Sequence, residues 1–294
     1  MTAMDYDLDA VRHQLDTEGY TVLPGFLDAP DIARLRAVVG DFFASGGGVV
    51  FNLGKTQPNA AIEVPGLAPL FADARVTGFF KALLGARGAL FTGHCDIHNS
   101  MVSNWHRDTG GPGHPYFDEP CFTDDCRVYK MAFYLQDHLD GQGLTVKPGS
   151  HLREGAATGR EVSLKSRAGD AVVFDVRIEH RGREPNLVES GIQRGARFAK
   201  RSAARLAGKA ETPGQPDWTL HAREAMDRLT GTADRMSVFF TFGADNRFSR
   251  QFARTNMGRQ LEQYDGGGIA YPAGLAENLA ASGVAVYQPE PQAA

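Results

Sequence analysis

Residues 169–186 read GDAVVFDVRIEHRGREPN: a Gly-Asp turn, a run of β-branched and aromatic residues, one histidine, then a polar stop. Val, Ile and Phe fit a pleated, half-buried surface, so this run bounded by turn residues predicts a core strand ending at His180. Similar segments surround it. GALFTGHCDIHNSMVSNWH (88–106), RVYKMAFYLQD (127–137), GLTVKPGSH (143–151) and RMSVFFTFG (235–243) are short, rich in β-formers and separated by Gly, Asp and Pro turns. The chain before them has a different texture. Residues 5–17 predict a short helix, GYTVLPGFL (19–27) a strand, and DAPDIARLRAVVGDFF (28–43) a helix with cap-type residues and Pro30 at its start. Residues 67–85 predict another helix, and the glycine-rich 44–59 a mobile loop. Helices first and then many short strands predict a mainly β fold with flanking helices, built as an antiparallel sandwich or barrel.

The expected organisation is one domain over residues 1–294. It has a helical region to about 88, a strand core over about 89–243, and a C-terminal extension from about 244, helical over 246–264 and then glycine-rich. Residues 184–234 interrupt the strand series. They begin basic and loop-like, with Arg194, Arg197, Lys200, Arg201 and Arg205, and then predict a helix near 218–231. Some fifty residues between two core strands are long for a connection, which predicts an inserted, lid-like subregion.

Composition narrows the function. Of 294 residues, 42% are hydrophobic and 22% charged, ordinary values for a globular chain large enough to bury a substantial core. A formal charge of −4 argues against a nucleic-acid partner. Three cysteines at low density argue against a disulfide framework, and Cys121 and Cys126 lack the spacing of a structural zinc site. The first twenty-five residues carry acids throughout and do not form a signal peptide, and no apolar run is long enough to span a membrane. The expectation is a cytoplasmic protein acting on a small molecule, with no membrane partner and with its oligomeric state left open.

The chemistry-bearing pattern is NWHRDTGG (104–111). On a strand, residues two apart share a face, so His106 and Asp108 could reach one ion together. Their best third partner is His180. Two imidazoles and a carboxylate on one face of an octahedron leave three open positions and suit Fe(II). The rivals are His94 and His98, on the preceding strand. His151 of PGSH is read as a hydrogen-bonding residue of its turn, Ser150 as the cap of that turn, and Trp105 and Phe174 as core.

In this order along the chain, GYTVLPGFLDAPDIARLRA, WHRD, YLQDHLDGQGLTVKPGSH and GDAVVFDVRIEHRGREPN resemble the phytanoyl-CoA dioxygenase family of Fe(II)/2-oxoglutarate-dependent oxygenases. The resemblance covers roughly residues 18–186 and a final strand. It implies a double-stranded β-helix (jelly-roll, cupin-like) core with iron held by His106, Asp108 and His180. It also implies 2-oxoglutarate as cosubstrate and O2 as oxidant. An arginine on the last core strand anchors the distal carboxylate in the family, about ten residues after the distal histidine. No arginine here sits at that spacing ahead of a strand; Arg235, which opens RMSVFFTFG, is the choice, and a guanidinium suits a carboxylate bidentately. Asn99 and Lys130 match positions that touch the cosubstrate. The implied reaction is hydroxylation of an unactivated carbon with release of succinate and CO2; desaturation, epoxidation or cyclisation are variants. Asp108 disfavours halogenation, whose enzymes lack that carboxylate. Two other readings stand beside this one: a metal-dependent cupin-type isomerase or hydrolase that does not use 2-oxoglutarate, and a non-catalytic jelly-roll binding module. Arg235 favours the first reading over the second, and the intact ligand set argues against the third.

Overall fold

A computed structural model of the chain describes residues 6–111, 113–139, 142–207, 217–230, 235–264 and 270–288. In chain order its strands are β1 (Tyr20–Leu23), β2 (Val49–Phe51), β3 (Gly54–Gln57), β4 (Ala89–Asn99), β5 (Gly110–Gly111), β6 (His114–Pro115) and β7 (Val128–Tyr134). They continue with β8 (Thr145–Val146), β9 (Val162–Ser163), β10 (Ala171–Asp175), β11 (His180–Arg181), β12 (Met236–Ala244) and β13 (Ala285–Val286). The larger sheet runs β1-β10-β7-β12-β4-β3-β2 with antiparallel neighbours, and β13 adds to β4 in parallel. A smaller sheet runs β11-β8-β9, and β5 pairs with β6.

The two sheets face each other. Ala132, Tyr134, Val172, Phe174 and Phe239 of the larger sheet pack with Leu144, Val146 and Leu164 beside and within the smaller one. Alternation along β12 assigns its two faces. Met236, Val238, Phe240 and Phe242 enter the main core, while Ser237 and Phe239 line the interior between the sheets. That core lies against helices, where Phe80 stacks on Phe242 at 4.4 Å and Phe71 on Phe91 at 5.1 Å.

The helices are α1 (Leu8–Thr17), α2 (Ala29–Ala44), α3 (Ala60–Glu63), α4 (Ala68–Phe71), α5 (Ala74–Leu84), α6 (Leu187–Ala207), α7 (Asp217–Thr230), α8 (Arg247–Tyr264) and α9 (Leu275–Ala281). The cap-type residue expected at the start of α2 acts as one, and α1 is capped in the same way. Asp7 accepts from the backbone of Asp9 and Ala10, and Asp28 from that of Asp31. Among the described residues helices hold more of the chain than strands, so the fold is mixed α and β with antiparallel sheets rather than mainly β.

Four local expectations change. Residues 44–59 are not a plain loop: FNLG (51–54) closes a β2–β3 hairpin through Asn52 and Leu53, at φ 45° and 66°. Left-handed φ at both positions is the two-residue turn that matches strand twist, and full burial of Leu53 offsets its unusual backbone. The helix over 67–85 breaks at Ala72–Asp73, because Asp73 accepts from the Arg75 amide and starts α5 anew. Residues 187–207, read as loop-like, form the 21-residue helix α6. After the glycine-rich stretch the tail folds back as α9 and β13.

Candidate metal centre

His106 is not on a continuous strand with Asp108. It forms an isolated antiparallel bridge with His180, exchanging both backbone hydrogen bonds at 2.9 Å. Residues opposed in this way carry side chains on the same face, so the imidazoles stand side by side with centroids 4.3 Å apart. Asp108 is fixed separately, its amide donating to the Val176 carbonyl at 2.9 Å. Phe174 packs against the His180 ring at 4.9 Å.

Each imidazole is oriented by the carbonyl two residues before it. Nδ1 of His106 lies 2.8 Å from the Asn104 oxygen, and Nδ1 of His180 2.9 Å from the Ile178 oxygen. A carbonyl only accepts, so Nδ1 carries the proton and Nε2 presents its lone pair inward. Both Nε2 atoms face Asp108, at 3.8 Å from Oδ1 for His106 and 3.5 Å from Oδ2 for His180. One ligand atom from each of the three lies within 4.8 Å of the others.

Protonation matches this geometry. Burial pushes His180 down to about 3, with the His106 charge adding to the effect. Burial would raise Asp108, but Lys130 and the two histidines hold its carboxyl far below the usual range. A neutral imidazole and an ionised carboxylate persist across neutral pH, the forms in which both ligate. The donor set therefore fits an octahedral divalent ion of the non-haem iron type. The His106 side chain is 45% exposed and that of His180 4%, which places the cluster in a cavity wall with one open side.

Lys130 is buried on β7, and its Nζ lies 2.7 Å from Asp108 Oδ2, so its partner within the protein is the carboxylate of the cluster. Arg235 lines the same cavity of about 1460 Å³ as His106, Asp108 and His180. Its Nη1 donates to Gln142 Oε1 at 2.7 Å. Asn99 is not brought there. It pairs across the sheet with Met236 and Lys55, and alternation along β4 puts it on the face of Cys95 and Ile97, away from the interior. The neighbouring His98 lines the cavity instead. Its rival role as a ligand fails, as does that of His94, whose nitrogens are taken by Thr241 Oγ1 at 2.8 Å and Asp96 Oδ2 at 3.1 Å.

Trp105 is not core: it lines the cavity, flanked by Lys147 Nζ at 4.6 Å and Arg181 Cζ at 4.7 Å from its ring centre. His151 bonds outside its own turn, to the Asp16 carbonyl of α1, and Ser150 Oγ accepts from the Glu179 amide. Arg107, between His106 and Asp108, donates to the carbonyls of Ser150 and Gly155 and ties their loop to the PGSH turn. Sequence reasoning missed Tyr116, Gln142, Leu220, His221, Asn256 and Arg259, all of which line the cavity. Tyr116 and Leu220 carry only ordinary core signatures; the spacing of Asn256 and Arg259 on one helical face was the readable sign.

Solved structures share this fold at low identity. The α-ketoglutarate-dependent carbocyclase SnoK from nogalamycin biosynthesis is 17% identical over 83% of this chain and 86% of its own, with a TM-score of 0.55. The epimerase SnoN, solved with Fe3+, α-ketoglutarate and nogalamycin RO, is 15% identical over 80% and 83%, with a TM-score of 0.54. EctD from S. alaskensis, solved with 2-oxoglutarate and 5-hydroxyectoine, is 17% identical over 79% and 74%, with a TM-score of 0.50. No curated protein sequence matches the chain. Among the described residues no helix is long and apolar enough to cross a membrane. The family model of phytanoyl-CoA dioxygenase (PhyH) matches residues 15–187, the stretch that carries both histidines and the aspartate of the cluster, and the chain belongs to that family.

Proposed function

We propose that this protein is an Fe(II)- and 2-oxoglutarate-dependent oxygenase of a small molecule, working as one catalytic domain. The observation that carries the reading is the convergence of two Nδ1-anchored imidazoles and one ionised carboxylate on a common point. Sheet order agrees with a double-stranded β-helix. The β4, β12, β7 and β10 strands form one wall, and the His106 bridge, β11, β8 and β9 form the other.

His106, Asp108 and His180 would hold the iron. Bound there with 2-oxoglutarate, it would supply O2 activation coupled to release of succinate and CO2, and so oxidation of an unactivated carbon. The protein's own part is positional. Asn104 and Ile178 fix the imidazole planes, and Lys130 neutralises and steers one carboxylate oxygen. Arg235, on the interior face of its strand, would bind the distal carboxylate of 2-oxoglutarate through a guanidinium now held by neutral Gln142. Leu220 and His221 of α7 line the cavity. Hydroxylation is the default outcome. The names of SnoN and SnoK attach epimerisation and carbocyclisation to the same frame, and Asp108 speaks against halogenation.

The test is spectroscopic. Under argon, Fe(II) and 2-oxoglutarate together should produce a weak visible charge-transfer band, lost in Asp108→Ala. Arg235→Ala should keep iron binding but need at least tenfold more 2-oxoglutarate for the same band. Stoichiometric iron without any band in the unaltered protein would overturn the reading.

A further inference from the structure

The interior cavity has two ends, and strand register orders them. Along β12, Ser237 stands opposite His98 and Tyr134, Phe239 opposite Asp96 and Ala132, and Thr241 opposite Lys130. At a rise of about 3.4 Å per residue, Arg235 lies roughly 20 Å along the strand from Thr241. Lys130 Nζ, which meets Asp108 Oδ2, also lies 6.0 Å from the Phe239 ring, so the metal cluster stands between the Thr241 layer and Arg235.

Beyond the cluster, α8 delivers two polar side chains to the cavity. Asn256 and Arg259 are three residues apart and share a helix face. Asn256 is 3% exposed, and its Oδ1 has no hydrogen-bond partner. Arg259 Nε is buried and likewise unpartnered, and its guanidinium lies 4.9 Å over the Tyr116 ring. Among the described residues no carboxylate pairs with it. These are not loose surface groups. Phe252, fully buried on the same helix, packs edge-on against His94 and Tyr116, at 5.6 Å from each. Tyr116 is set by the β5–β6 hairpin, where Gly110 has φ 88° and a Cβ would meet the His114 carbonyl at 2.3 Å.

A buried acceptor and a buried donor left open in a rigid wall are costly unless a ligand satisfies them. The distal carboxylate of 2-oxoglutarate is given to Arg235 in the oxygenase reading, which leaves Arg259 and Asn256 for a second ligand. The geometry points to this end of the cavity as the anchor for the other substrate: Arg259 takes a carboxylate, and Asn256 accepts from a neighbouring hydroxyl or amide N–H. The substrate class is then a small hydroxy- or amido-carboxylic acid, held with its remaining carbons toward the metal centre. The inference rests on the oxygenase reading and makes Arg259 and Asn256 its specificity-determining residues. Both lie beyond residue 187, outside the stretch that the family model matches.

N-acetylglycine, which offers one carboxylate and one amide N–H, is the probe, and neutral N-acetylglycinamide is its control. Binding is read by ligand-observed NMR on protein holding Fe(II) and saturating 2-oxoglutarate under argon, and again on metal-free protein. The acid should bind at least tenfold tighter than the amide. Arg259→Met should erase that preference, and Arg259→Lys should restore it in part. Asn256→Asp, which places a like charge at the site, should weaken the acid more than the amide. The visible band of the Fe(II)–2-oxoglutarate complex should need no more than twofold more 2-oxoglutarate in Arg259→Met. Equal binding of acid and amide to the unaltered protein, or a preference that survives in Arg259→Met, overturns the inference. So does loss of the band in Arg259→Met, because Arg259 would then anchor the cosubstrate. A missing band in the unaltered protein, with the acid preference intact on metal-free protein, would instead fault the oxygenase reading alone.

Discussion

At the scale of single residues, Lys130 shows how a sequence clue and a structural answer can differ. A lysine inside VYKMAFY demands a partner, because an unpaired buried ammonium is costly. The structure supplies Asp108 at 2.7 Å. The ammonium thus occupies part of the electrostatic role that a divalent ion would fill. Breaking a buried pair by removing one partner costs about 3–5 kcal/mol, since the other charge is left uncompensated. For a chain of this size that is a fall in Tm on the order of 10 °C. Lys130→Met should show this loss in metal-free protein, and Ni(II) should raise the variant's Tm more than it raises that of the unaltered protein. Equal Ni(II) stabilisation of both would mean that the lysine matters for packing and not for charge.

At the scale of elements, what was legible was local. The β-forming runs, the cap-type start of α2 and the His106–Asp108 pair were readable because each depends on a few adjacent residues. The bridge that sets His106 against His180 was not, since it joins residues 74 positions apart in the chain through backbone bonds no side-chain pattern announces. Asn99 failed for a related reason. Its face depends on strand parity, and a one-residue change of parity exchanges the interior for the helix side. The α6 helix was missed because Gly191, Gly195 and a run of arginines obscured a start signal that was present. Asn186 and Glu189 form a reciprocal cap, each side chain accepting from the other's amide at 2.9 Å. Glu189 also receives two bonds of 2.6 Å from Arg183, next to β11. This carboxylate is therefore the pin between the insert and the barrel. Glu189→Ala should speed amide hydrogen exchange across 187–207 and 217–230 at least tenfold while leaving β7 and β12 protected. Unchanged exchange in those helices would show that α6 and α7 hold without it.

At the scale of the whole molecule, acid stability follows from where charge has been buried. Burial pushes His98 down to about 4 although Asp96 lies nearby, and burial also lowers His151. Burial works against Asp31 and Asp73, yet Arg75, bridging them across α2 and α5 at 2.7 and 2.6 Å, holds both carboxyls below their usual range. All four groups have folded values below their unfolded ones. In every case the unfolded chain binds protons first on acidification, so the stabilisation is complete above the unfolded value and disappears as pH falls through the folded one. Two windows result. The histidines act first, from their ordinary 6.5 down towards about 4, and the two aspartates follow below their ordinary 3.8. In EDTA-treated protein, Tm should hold level above pH 7, decline gently from 6.5 to 4, and fall steeply below. His98→Gln should flatten part of the first decline without touching the second. Arg75→Met should lower Tm at neutral pH and soften the second, because its aspartates then titrate near their unfolded values in both states. A His98→Gln profile parallel to that of the unaltered protein between pH 6.5 and 4 would remove the buried imidazole as a source of the acid sensitivity.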